Sequence, residues 1–255
     1  MRIMSELPLV IFTVLTGLAA GAYAMSIVYV AVTKKQERSW VFNAICIVLL
    51  GLGLLGALFH LGHPERFLNA LSNPTSMITQ EAYWAMPFGL LMLIDAILLK
   101  VRKSSPFALA IIGAIAACGL MTVTSIEYFT SYGVAPWPYP PSIFFFIVGD
   151  LAVGALLALA FFKERKEKAC TLIAFVLGVI FVITLIIEAC VFGSLGYGFV
   201  AFAIAALFYA VAVALLFMQI RNKNARLTSK DIRWLIFAIA IVAIVIARFA
   251  FYAAA

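Results

Sequence analysis

Two histidines and a small set of carboxylates are the residues of this sequence that could move protons. His60 and His63 lie three residues apart, and Glu81 follows them after a loop rich in Asn, Ser, Pro and Thr. An imidazole and a carboxylate that share a partly dehydrated site form a proton-accepting pair. We therefore expect His60 and Glu81 to face a common pocket and to accept protons there.

Both residues also have a simpler interpretation, which the sequence leaves open. Gly62 and Pro64 predict that a helix ends just after His60, so this histidine could be an interfacial side chain with a satisfied hydrogen bond. Glu81 lies near the expected start of the next helix, where a carboxylate is stabilised by the helix dipole and could act only as a cap.

Three other ionisable residues lie inside apolar stretches, where charges usually face other protein groups. Asp150 is near the middle of its stretch and is expected to hydrogen-bond to neighbouring helices, with a proton path as the alternative. Asp95 precedes Lys100 by about one turn and is expected to pair with it. Arg248 is expected either to extend to the membrane surface or to pair with a carboxylate inside the protein.

The remaining polar residues of this group have surface roles in the simplest interpretation. Arg66 could neutralise lipid headgroups, and Glu127 and Glu188 could lie in water just past their helices. Ala135–Pro141 reads APWPYPP, a stiff and aromatic loop for which we favour docking of a partner subunit over simple interfacial anchoring.

The cysteines and histidines give no sign of a metal or haem site. Cys46, Cys118, Cys170 and Cys190 form no C-x-x-C pair, so we interpret them as packing residues rather than ligands of zinc or of an iron–sulfur cluster. Two histidines at one helix end cannot bind opposite faces of a porphyrin. We expect no haem, no iron–sulfur cluster and no other metal in this protein.

The composition shows what must position these residues. Of 255 residues, 66% are hydrophobic and 11% charged, and the mean hydropathy is +1.15. Soluble domains are roughly half apolar and a quarter charged, so the sequence predicts an integral membrane protein. Soluble, disordered, disulfide-stabilised and nucleic-acid-binding proteins are excluded.

Eight continuous apolar runs are each long enough to cross a bilayer as a helix, and none alternates like a barrel strand. We predict an all-α bundle of eight transmembrane helices forming a single integral membrane domain over residues 1–255. The runs are Leu7–Val32, Val41–Leu61, Glu81–Leu99, Pro106–Glu127, Ser142–Phe162, Ala169–Cys190, Tyr197–Met218 and Ile232–Ala253. The first is interpreted as an uncleaved helix, because the stronger basic cluster follows it.

The basic residues predict the orientation of this bundle. All except Arg2, Arg66 and Arg248 fall in or beside the first, third, fifth and seventh connections, which lie on one side of the membrane. Positive charge marks the cytoplasmic side, so both termini are expected outside. The net charge of +7 then reflects membrane topology and contact with anionic lipid.

Three regions of the sequence resemble the membrane-anchor subunits of dimethyl sulfoxide reductases. The N-terminal segment Glu6–Thr13 is similar to the start of those subunits. The segment from His60 through Leu61 and Gly62 to Pro64, Arg66 and Asn69 resembles their most recognisable motif, and Glu81 lies at the spacing of their acidic residue. Arg248 with Phe251 and Tyr252 resembles the end of their last helix, although Ile244 stands where the family often has a glutamate.

This resemblance implies a haem-free, quinol-oxidising subunit of a molybdopterin oxidoreductase in a bacterial or archaeal plasma membrane, used in anaerobic respiration. The protein would bind menaquinol near the outer face and pass electrons to an iron–sulfur electron-transfer subunit, which supplies a molybdopterin catalytic subunit. The resemblance assigns proton transfer to His60 and Glu81, and quinol binding to these two with Arg66 and Arg248.

Two alternatives remain from the sequence alone. A secondary transporter or proton channel would use charges near the midplane, where Asp150 is the strong candidate, but the halves show no clear repeat. A purely structural anchor would tolerate loss of His60 and Glu81.

Overall fold

The computed structural model describes residues 2–34, 38–60, 69, 71–162, 167–221 and 229–255, and it describes the side chains of these residues except residues 2–5 and 167. These residues form eight helices that are each long and apolar enough to span a membrane, which confirms the predicted helical class. The helices are α1 (Arg2–Thr33), α2 (Trp40–His60), α3 (Met77–Arg102), α4 (Phe107–Phe129), α5 (Pro140–Phe161), α6 (Glu167–Ser194), α7 (Val200–Arg221) and α8 (Lys230–Tyr252).

Helices α1 and α5 form the centre of the bundle. Each is 72% buried over its most apolar stretch, against 33–44% for the other six. Consecutive helices pack together along the sequence, and α8 returns to contact both α5 and α1. The six outer helices keep apolar side chains on their exposed faces, as helices in contact with lipid require.

Small residues allow the two central helices to approach closely. A Cβ atom added at Gly154 of α5 would overlap the backbone of Gly21 in α1, and one added at Gly17 would overlap the Asp150 carboxyl. In a membrane, where lipid is as apolar as the side chains, such close packing is a main source of helix association. The central contact therefore depends on glycine at these positions.

An ion pair is buried where α1, α5 and α8 meet. The Arg248 guanidinium lies 2.9 Å from the Asp150 carboxylate, and its centre is 3.7 Å from the ring centroid of Phe146. Both charged side chains are almost inaccessible to solvent. Of the two sequence-based alternatives for Arg248, pairing inside the bundle is therefore the one observed, and its partner is Asp150.

Asp95 does not pair with Lys100, so that prediction is wrong. Its carboxylate binds Arg38 at 2.9 Å, Asn43 at 2.8 Å and Ser105 at 2.5 Å. Five residues along a helix turn the direction of a side chain by about 140°. Asp95 consequently faces the bundle interior, while Lys100 is exposed and lies over the ring of Trp40.

Several helices extend past the ends that hydropathy predicts, and this corrects the placement of Glu188. Helix α6 continues to Ser194, and Glu188 is fully buried inside the bundle rather than in water. Its carboxyl faces Ser142 of α5 and the charge of Arg248. A polar side chain that points inward lowers the local hydropathy without ending the helix.

Candidate functional site

A cavity of about 550 Å³ lies among α1, α2, α3 and α4, at the end of the bundle that holds both termini, here called the termini end. Its volume falls within the range typical of small-molecule sites, and such sites are mostly apolar with a few polar groups. The lining follows this pattern. The apolar members include Leu9, Phe12, Leu54, Leu58, Ile78, Ala82, Ala85 and Met86, and the polar ones include Glu6, His60, Glu81, Glu127, Tyr128 and Ser131.

Helical periodicity explains which side chains reach the cavity. On α2, Leu54, Ala57, Leu58 and His60 lie within two turns, and most of them share one face. On α3, Glu81 shares its face with Ile78, three positions before it, and with Ala85, four positions after it. Each helix therefore presents one stripe to the cavity, and a polar residue occurs in each stripe.

Glu81 points into the bundle rather than capping its helix. The helix begins at Met77 after Ser76, which places Glu81 in the second turn. Its side chain is 7% exposed, and Oε1 accepts a hydrogen bond of 2.7 Å from the Thr124 hydroxyl of α4. The capping interpretation of Glu81 is therefore wrong, and the carboxyl is held in a fixed position on the cavity wall.

His60 is the last residue of α2 and lines the same cavity. Its side chain is exposed, in contrast to the buried Glu81. The structure thus places the imidazole and the carboxyl around one cavity, as the sequence pattern predicts. The described residues do not include Arg66, His63 or the neighbouring motif residues Leu61, Gly62 and Pro64.

Glu127 is a cavity residue that the sequence analysis misplaced. The simplest interpretation of the sequence places it in water just past its helix, but α4 continues to Phe129, and the Glu127 side chain is half-buried on the cavity wall. Its carboxyl lies within hydrogen-bonding reach of the Glu81 carboxyl. The signal in the sequence was the spacing of three residues from Thr124, which places both on one face of α4.

Trp137 and Tyr128 are aromatic residues of the cavity wall that the sequence does not predict there. Trp137 is 7% exposed, stacks on Phe251 with a centroid distance of 5.2 Å, and donates its indole N–H to the Phe251 carbonyl at 3.0 Å. Trp137 is therefore buried in the bundle, so the interpretation that this loop docks a partner subunit is wrong for Trp137. The following Pro140 and Pro141 begin α5.

Arg248 is not among the residues that line this cavity. It lies deeper in the bundle, where Asp150 neutralises it. Tyr252, one turn further along α8, separates the two regions, because its hydroxyl lies within hydrogen-bonding reach of Tyr128 and 3.3 Å from the Thr13 hydroxyl.

A family model supports the resemblance that the motifs suggest. The model described as "DMSO reductase anchor subunit (DmsC)" matches residues 1–191, which is well over half of the sequence. The protein belongs to this family. The matched residues of this DMSO reductase anchor subunit include every cavity-lining residue except Ala255. Arg248 and the rest of α8 lie beyond the match.

A relative of this anchor subunit is a subunit of the anaerobic dimethyl sulfoxide reductase of Haemophilus influenzae. The two sequences are 36% identical over 81 residues, which is 30% of the present protein and 29% of the relative. The match therefore spans less than a third of the length of this relative. Membership of the family, together with eight helices that are long and apolar enough to span a membrane, makes the present protein a multi-pass membrane anchor subunit.

Proposed function

We propose that this anchor subunit binds menaquinol in the cavity at the termini end and oxidises it. The observation that carries the proposal is the placement of His60 and Glu81 on the wall of one mostly apolar cavity. A quinol has a long apolar tail and two hydroxyl groups, so it requires an apolar cleft with a few polar groups. The volume and lining of the cavity suit this class of molecule.

Oxidation of a quinol removes two protons and two electrons. In the proposed reaction Glu81 and His60 accept the protons from the two hydroxyls as general bases. Glu81 is fixed for this purpose by the hydrogen bond from Thr124, whereas the exposed imidazole of His60 can exchange a proton with water. The electrons pass to an iron–sulfur partner subunit and from there to a molybdopterin catalytic subunit.

The position of the cavity fits this route for the electrons. Its lining residues lie towards one end of their helices, in the connection between α4 and α5 or, for Ala255, just after α8. The distribution of basic residues makes this the outer end, and a partner subunit docked there is close to the cavity. We expect the protein in a bacterial or archaeal plasma membrane, where this reaction supports anaerobic respiration.

The test compares two electron sources for the same complex in membranes. General bases contribute about 10²–10⁴-fold to a rate. We therefore expect Glu81→Gln to lower menaquinol-dependent reduction of dimethyl sulfoxide by about a hundredfold. Reduction driven by a soluble dye that supplies electrons directly to the partner subunits should stay unchanged. Tyr132→Phe is the matched control, since this residue is 79% exposed at the same end.

Normal menaquinol-dependent turnover in both Glu81→Gln and His60→Ala would contradict the proposed site. That result would favour a purely structural anchor, because such a subunit needs neither residue. Parallel loss of both the quinol-driven and the dye-driven activity would show failed assembly, and the conservative variant Glu81→Asp then separates assembly from proton transfer.

A further inference from the structure

The contact between Glu81 and Glu127 connects the buried wall of the cavity to its exposed edge. Glu81 is 7% exposed, and its carboxyl lies within hydrogen-bonding reach of the half-buried Glu127. Glu127 is two residues from the end of α4, next to the connection that carries the 79% exposed Tyr132. The two carboxyls therefore follow a gradient from the cavity interior towards solvent.

A residue that accepts protons repeatedly also needs a way to release them. Among the described residues, the side chains of Thr124 and Glu127 lie within hydrogen-bonding reach of the Glu81 carboxyl. The Thr124 hydroxyl donates to Glu81, so in this arrangement its proton is already committed. The Glu127 carboxyl is the neighbouring group that can take a proton and transfer it onward. Two carboxyls in contact can hold one proton in common.

We propose that Glu127 is the relay residue that takes up the proton received by Glu81 and transfers it to water at the termini end. The proposal rests on the proposed function, because it assigns an exit to a proton that a quinol supplies. In the full step both quinol O–H bonds break and a quinone forms: one proton moves to Glu81, then to Glu127 and to water, and the other proton moves to His60. The two electrons leave one at a time to the iron–sulfur partner subunit of the proposed function.

The surroundings of Glu127 favour this direction of transfer. The titratable groups that face it are Glu6 on α1, His60 on α2, Glu81 on α3, Tyr128 on its own helix and Tyr252 on α8. Among the described residues these include no lysine or arginine. A proton on Glu127 is therefore not displaced by the charge of a neighbouring lysine or arginine. Ser131 donates its hydroxyl to the Glu127 backbone carbonyl at 2.7 Å and keeps the end of α4 ordered.

The experiment uses the assembled complex in membranes and four variants: Glu127→Gln, Glu127→Asp, Glu81→Gln and the control Tyr132→Phe. We expect Glu127→Gln to bind a fluorescent quinol analogue within about threefold of the wild type. Its menaquinol-dependent turnover should fall at least tenfold, its solvent isotope effect should rise, and its dye-driven activity should be unchanged. Glu127→Asp should retain most turnover, because it keeps a carboxyl.

Addition of acetate provides a readout that a structural role would not change. A small weak acid that diffuses into the cavity can replace a missing proton relay, so acetate should restore part of the turnover of Glu127→Gln and none of that of Glu81→Gln. Wild-type turnover in Glu127→Gln, or a loss that neither acetate nor Glu127→Asp restores, would overturn the relay. If the wild type itself binds no analogue, the proposed function fails, and the relay fails with it.

Discussion

At the scale of single residues, the charges inside the bundle separate into a cavity group and a core group. Glu81 and Glu127 face the cavity, whereas Asp150 and Arg248 satisfy each other in the centre. Asp150 is the midplane carboxylate on which the transporter alternative depends, and the ion pair gives it a structural role. It also gives Arg248 a structural partner. Because Arg248 does not line the cavity, the geometry does not favour the predicted contact of Arg248 with a quinol.

Asp150 and Arg248 should contribute to the stability of the folded protein jointly rather than independently. Removing one member of a buried ion pair leaves an uncompensated charge and costs about 3–5 kcal/mol, whereas replacing both with apolar or neutral groups costs much less. We expect Asp150→Asn and Arg248→Met each to lower the thermal stability of the purified protein strongly. The double variant should be more stable than either single variant.

Thermal unfolding in one detergent, measured for all four proteins of this cycle, checks the coupling. Equal stability of the single variants and the wild type would show that the pair contributes nothing. A double variant whose loss equals the sum of the two single losses would show that the residues act independently.

At the scale of helices, the sequence predicts well which helices exist and in what order they follow. It predicts less well where each helix begins and ends. Continuous apolar runs of about 20 residues have no stable arrangement in a bilayer except helices, so all eight were found. The predicted run from Glu81 begins late because hydropathy treats an ionisable residue as a boundary. The helix instead starts at Met77 and carries Glu81 inward, since the backbone bonds are satisfied whichever way the side chain points.

The side-chain partners could not be predicted, because they depend on how the helices are rotated against one another. The shared cavity of His60 and Glu81 could be predicted because the two residues lie at the facing ends of consecutive helices, which pack together. The contact of Glu81 with Glu127 needs the packing of α3 on α4, and the inward position of Trp137 needs its stacking on Phe251 of the last helix. Residues far apart in sequence decide these contacts.

The close approach of α1 and α5 gives a test at this scale. In Gly154→Ala the new methyl group would overlap the α1 backbone, which cannot move as a flexible side chain could. Overpacking typically costs about 1–3 kcal/mol, and a clash with backbone at the centre of the bundle should reach or exceed the upper value. We expect a strong loss of folded protein, measured by detergent-stable yield and thermal unfolding.

Gly51→Ala is the matched control for that variant. Gly51 is also a helical glycine, but a Cβ atom there would meet nothing within 4 Å. Replacing glycine by alanine in a helix stabilises by up to about 1 kcal/mol, so this variant should equal or exceed the wild type. Equal stability of the two variants would show that the contact of α1 with α5 does not require glycine at position 154.

At the scale of the whole molecule, the orientation in the membrane decides whether the cavity can serve a partner on the outer face. Both termini lie at the cavity end, and the described basic residues of the connections lie at the opposite end. The positive-inside rule makes the basic end cytoplasmic. The orientation is a prediction from charge, since the fold is the same whichever way it is inserted.

Cysteine labelling in intact cells tests that orientation. Tyr132→Cys should react with a membrane-impermeant maleimide added outside, and Lys103→Cys, which is exposed at the opposite end, should react only after the cells are opened. The wild type provides the background from its four free cysteines. The reverse pattern would place the cavity on the cytoplasmic side and remove the proposed electron route.

The central claim is that the cavity binds a quinol through His60 and Glu81, and a titration with a fluorescent quinol-site inhibitor tests it most directly. A hydrogen bond to a charged group contributes about 1.5–3 kcal/mol, or roughly a ten- to hundredfold change in Kd. We expect saturable binding of one inhibitor per wild-type protein, weakened by about that factor in His60→Ala and Glu81→Gln and unchanged in Tyr132→Phe. Absence of saturable binding in the wild type, or equal Kd values in all four proteins, would contradict the claim.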